Sequence, residues 1–99
     1  MTSPGKPERL WRQLLGGRLR ALRRSRQETL EAVARRANLS IQYLSEVERG
    51  VKEPSSEVVA AITAALETTL LDLTVAVAEQ LRDDRAAAPT NRGDFALAA

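Results

Sequence analysis

Residues 29–50 read TLEAVARRANLSIQYLSEVERG, and this stretch decides the fold. Thr29 can cap a helix, because its hydroxyl accepts one of the backbone N–H groups that a first turn leaves unpaired. Val33, Ala34 and Ala37 then share one face at helical spacing. Asn38 stands where the chain must turn, and asparagine tolerates a left-handed backbone better than most residues. Leu39 is placed to plug the corner from inside. Ser40 opens a second helix as its N-cap, and Gly50 closes it one residue past the last turn. Two short helices joined by a tight corner follow from these signals.

Wound at about 100° per residue, the second helix separates into two faces. Leu44 and Val47 point inward, flanked by Tyr43 and Glu48. Ile41, Gln42, Ser45, Glu46 and Arg49 point outward. A polar outer face alone would suit any surface helix. The small Ala34, the short Asn38-Leu39-Ser40 corner and that outer face together give the spacing of a helix-turn-helix, with DNA binding favoured over a plain αα-hairpin.

Residues 15–73 resemble the five-helix DNA-binding domain of the phage-repressor and Xre family of bacterial regulators. The run YLSEVERGVKEPSSEVVAAI, residues 43–62, is closer still to the actinobacterial Clp gene regulators. The resemblance implies an all-α fold, a compact five-helix bundle of the phage-repressor-like helix-turn-helix type. It also implies that Ile41, Gln42, Ser45 and Glu46 occupy base-reading positions. Gln42 can pair bidentately with adenine, Glu46 can accept from the cytosine amino group, and Ile41 can meet a thymine methyl. The family pattern further implies an internal ion pair, Arg23 with Glu48, between the first helix and the recognition helix. The chain departs from that pattern at Asn38, where glycine is frequent, and at Leu30, where many members carry a phosphate-touching glutamine.

Charge is unevenly placed along the chain. Residues 1–36 carry 10 Lys/Arg against 3 Asp/Glu and residues 37–99 carry 5 against 10, so +7 and −5 leave the net charge of +2. A basic segment of this kind suits a surface that meets phosphate. Arg26, Arg49 and Lys52 are the phosphate candidates, contributing affinity and salt dependence rather than sequence preference. The chain has no Cys and no His, so disulfides, thiol chemistry and imidazole acid–base work are excluded, and no metal or cofactor is expected. An aromatic content of 3% is too low for base-stacking platforms. No apolar run approaches the roughly 20 residues of a membrane helix, and the N-terminus lacks an apolar signal core. A soluble, cytoplasmic protein with no membrane segment is expected.

Around the central stretch, residues 1–8 read as a flexible N-terminal arm, residues 9–85 as the DNA-binding domain, and residues 86–99 as a disordered tail. A first helix is predicted over residues 9–26, with Leu10, Leu14, Leu15, Leu19 and Leu22 as its buried stripe. Gly16 and Gly17 cost helix stability there, and mark either a kink or a break. Ser55 caps a fourth helix whose apolar side is Val58, Val59, Ile62, Ala65 and Leu66. Its N-terminus, with Ser55, is a further phosphate candidate. A fifth helix over residues 70–85, starting as early as Thr68 or Thr69, carries two stripes. Leu70, Leu73, Val77 and Leu81 cover the core, and Leu71, Val75 and Ala78 are free to meet a second copy. The ending Phe95-Ala96-Leu97-Ala98-Ala99 resembles the tags that bacterial Clp proteases recognise, which makes Ala98 and Ala99 a candidate degron and a Clp protease a candidate partner.

These readings combine into a sequence-specific regulator that binds double-stranded DNA as a homodimer on a near-palindromic operator, controlling Clp protease genes. The alternative is a helical protein-binding module, an antitoxin-like or anti-regulator partner. An enzyme is disfavoured, because the chain has no glycine-rich phosphate loop or metal-ligand cluster and its lone carboxylates read as solvated.

Overall fold

The computed structural model describes residues 10–86. They form five helices: α1 (Trp11–Ser25), α2 (Leu30–Ala37), α3 (Ile41–Glu48), α4 (Ser56–Ala65) and α5 (Leu70–Ala86). Four of the five begin at a hydroxyl. Thr29, Ser40, Ser55 and Thr69 accept the N–H groups of Ala32, Tyr43, Val58 and Asp72 at 3.0, 3.0, 3.2 and 3.0 Å. Each such cap contributes about 1 kcal/mol relative to alanine. At α1 the capping residue is Leu10, which has no oxygen to offer; instead its own N–H donates to Gln13 Oε1 at 2.8 Å.

The first four helices end alike. Gln27, Asn38, Gly50 and Glu67 each take a left-handed backbone, with φ of 58°, 60°, 78° and 58°. The next N–H in each case reaches back to a carbonyl five residues earlier, as in Leu39 to Ala34 (2.8 Å) and Val51 to Glu46 (3.1 Å). This is the Schellman arrangement, which satisfies the carbonyls that a helix end would otherwise orphan.

The pairs α2 and α4, α1 and α3, α1 and α5, α2 and α3, and α4 and α5 pack together. Leu15, Leu19, Leu44, Ile62, Leu73, Val33, Val47 and Val77 are fully enclosed, so every helix contributes to one core. Ala34 and Ala37 are buried with Val33, and Leu39 packs against the same cluster from the corner. Burying a leucine or valine side chain contributes about 1.5–3 kcal/mol, so this shared core, not helix propensity, holds the short α2 and α3 in place.

Several expectations are corrected. The helix α1 runs unbroken through Gly16 and Gly17. A Cβ on Gly16 would lie 2.2 Å from the Val47 carbonyl oxygen, so Gly16 is what lets α1 approach the end of α3. Leu10 and Leu70 leave their predicted stripes and are about half exposed, because each sits at a helix start, outside the packed turns. Ala86, placed in the tail by sequence, is still helical. Residues 1–9 and 87–99, with the candidate degron Ala98 and Ala99, lie outside the described residues.

Candidate nucleic-acid interface

The helix α3 is eight residues long and is held from behind. Leu44 and Val47 are enclosed in the core, and Glu48 is buried with them. Glu48 receives two hydrogen bonds from Arg23 of α1, Nε to Oε2 at 2.8 Å and Nη2 to Oε1 at 2.9 Å. The pair is shielded, with side-chain exposures of 11% for Arg23 and 5% for Glu48. That hydrogen bonding raises the Arg23 pKa further above its usual value, with burial working against it. The third guanidinium nitrogen, Nη1, donates to the Glu28 carbonyl at 2.9 Å, so one side chain ties α1, the α1–α2 corner and α3 together.

This pairing also shapes the outer surface. With Glu48 neutralised inside, Glu46 is the one carboxylate that α3 turns outward. It shares that face with Ile41, Gln42 and Ser45, and Ile41 and Gln42 are exposed while Ser45 and Glu46 are half-buried. Gln42 Nε2 donates to Glu46 Oε2 at 3.4 Å, a long contact one turn apart. The four side chains that sequence assigns to base reading therefore stand together, and two of them touch.

The phosphate candidates separate. Arg49 ends α3 and Lys52 follows in the next loop; both are exposed and make no ion pair among the described residues. Ser55 accepts the Val58 N–H on one lone pair of its hydroxyl oxygen, which leaves its hydroxyl proton available to donate. Arg26 is different. Its guanidinium is held by Glu28 at 3.3 Å and Glu67 at 3.4 Å, and its Nε is buried without an acceptor. Arg26 thus faces carboxylates of its own chain where sequence expected phosphate. Glu28 also accepts from Arg36, whose guanidinium reaches on to the Ala65 carbonyl at 2.7 Å and so closes the end of α4.

On α5, Leu73 and Val77 are buried, whereas Leu71 is 70% and Val75 46% exposed, with Ala78 also exposed one turn further on. The second apolar stripe is thus uncovered in the single chain. Sequence reasoning passed over Arg12, Glu28 and Arg36. A signal for Arg12 was present: Arg12, Gly16, Leu19 and Arg23 recur at steps of four, three and four, and so share one face.

An outward eight-residue helix after a tight corner, backed by a buried arginine–glutamate pair, defines a helix-turn-helix domain. Residues 14–77 match the family described as helix-turn-helix domain. Transcriptional regulator ClgR of Mycobacterium tuberculosis (strain CDC 1551 / Oshkosh) is 42% identical over 85 residues, spanning 85% of this chain and 76% of that protein. The crystal structure of the clp gene regulator ClgR from Corynebacterium glutamicum superposes with a TM-score of 0.76 at 36% identity, over 93% of each chain. A tetrameric restriction-modification controller protein in complex with its natural 35 base-pair operator has a TM-score of 0.69 at 19% identity, over 75% of this chain and 97% of that one. At that identity the likeness is one of fold alone. The chain belongs to the ClgR family of helix-turn-helix transcriptional regulators. Among the described residues, no single helix is long and apolar enough to cross a membrane.

Proposed function

We propose that the protein acts as a homodimer on double-stranded DNA, placing two copies of α3 in successive major grooves about 34 Å apart on a near-palindromic operator. The observation that carries this reading is that Ile41, Gln42, Ser45 and Glu46 share the outer face of a helix whose opposite face is locked into the core. Glu46 reads a cytosine amino group and Gln42 an adenine edge. Arg49, Lys52 and the N-terminus of α4 at Ser55 hold phosphate. The exposed Leu71, Val75 and Ala78 stripe supplies the two-fold contact, since an apolar face of this kind marks an interaction site. The ClgR of Corynebacterium glutamicum is a clp gene regulator, and clp genes are the targets proposed for this chain as well.

Selection of bound sites from random duplex DNA tests the reading. The expected product is a palindrome with half-sites about one helical turn apart. Against it, Glu46→Ala relaxes preference at one base pair per half-site, while Lys52→Ala weakens all sites alike. Recovery of no motif, with only salt-sensitive background, overturns the reading in favour of a protein-binding module.

A further inference from the structure

The first turn of α1 meets the α3–α4 connection with three consecutive residues. Trp11 shares an apolar groove with Pro54 and Ser56. Arg12 Nε donates to the Gly50 carbonyl at 2.9 Å, and its Nη1 lies 3.9 Å from Glu53 Oε1. Gln13 presses on Gly50 from the same side, so closely that a Cβ on Gly50 would lie 2.9 Å from the Gln13 Cα. Gly50 is buried, and among the described residues no backbone N–H outside the helices donates to its carbonyl. A buried carbonyl needs a donor, and a charged one binds it most firmly.

The same guanidinium offsets an electrostatic obstacle. Glu53 is next to Lys52 in the loop of residues 51–54, and a bare carboxylate there would oppose the approach of phosphate. Arg12 stands beside it. The Arg12–Glu53 contact is solvated and long, with side-chain exposures of 36% and 65%, so it adds little stability. What the Arg12 side chain fixes is where the loop lies.

We infer that Arg12 is a positioning residue for DNA binding. It holds the loop of residues 51–54 against α1, so that Lys52 and the N-terminus of α4 meet the DNA backbone in register with α3. Arg12 itself does not contact phosphate. This inference rests on the proposed reading of α3 and the following loop as the DNA face.

The test uses the full chain and a random-sequence duplex, with binding measured across a series of salt concentrations. In Arg12→Gln the loop is ordered only on binding, so every phosphate contact is still made but at an ordering cost: binding is expected to weaken about fivefold to tenfold at each salt concentration, with the slope of log affinity against log salt unchanged. Hydrogen exchange of the Val51 amide, which donates to Glu46, should quicken while the Leu44 and Ile62 amides stay as in the parent. Lys52→Ala, by contrast, should flatten the slope by roughly 0.9, the loss of one phosphate contact. Unchanged affinity in Arg12→Gln overturns the inference, and so does a flattened slope, which would make Arg12 a phosphate ligand. A parent chain that shows no salt-dependent binding overturns the DNA-face reading itself, an outcome separable from the other two.

Discussion

A methyl group placed on Gly16 would lie 2.2 Å from the Val47 carbonyl oxygen and 2.7 Å from that of Glu48, whereas one placed on Gly17 would meet nothing within 4 Å. Two neighbouring glycines thus carry opposite consequences. Gly17→Ala should raise stability by about 1 kcal/mol, the helix-propensity difference alone. Gly16→Ala must push α1 away from the end of α3, at a cost of about 3 kcal/mol or more. Thermal melts of the two single variants check this; a melting temperature that moves the same way in both would refute the assignment. Sequence marked the pair as costly but not what it is for, because the partner carbonyls are some thirty residues away and their approach is a tertiary fact.

At the scale of the helices, most of the architecture was legible. The boundaries of α2, α3 and α4 follow from side chains within three to five residues of each end, and such signals survive any tertiary context. The two faces of α3 follow from its period. Less legible were groups whose partners come from afar. Arg26 looks like a phosphate ligand in a basic stretch until Glu28 and Glu67 are seen around it. Leu10 and Leu70 fit their stripes by period but fall at helix starts, where packing ends. The second stripe of α5 carries a prediction of its own. Leu71→Glu, at a site 70% exposed in the single chain, should leave the fold intact and abolish the dimer. Sedimentation should then report the single-chain mass of 10.8 kDa, and operator binding should lose its two-site character. A variant that still sediments as a dimer would place the two-fold contact on another face.

For the molecule as a whole, the polar contacts behind α3 form one connected set. Arg23 joins Glu48 to the Glu28 carbonyl, Glu28 joins Arg26 and Arg36, and Arg36 reaches the end of α4. Arg36 hydrogen bonding, aided by the charges of Arg36 and Arg26, holds the Glu28 carboxyl below its usual value of 4.5. A depressed folded-state value means that folding favours the ionised form. The corresponding stability is complete above the usual value and is lost as pH falls through the lowered one. The parent chain should therefore lose melting temperature more steeply below about pH 5 than Glu28→Gln does. Parallel curves for the two would remove Glu28 as the source.

The repeated helix ending bears on how the chain reaches this state. Each of the first four helices carries its own stop, made of hydrogen bonds spanning three to five residues. Helix lengths can therefore be settled locally before any two helices meet. What remains for the collapsing chain is to arrange five short rods, with α1 finding α3 and α5 and α2 finding α4. Rods whose ends are already fixed leave fewer backbone angles to settle during that search, so a newly made copy spends less time exposing the apolar stripes that its core requires.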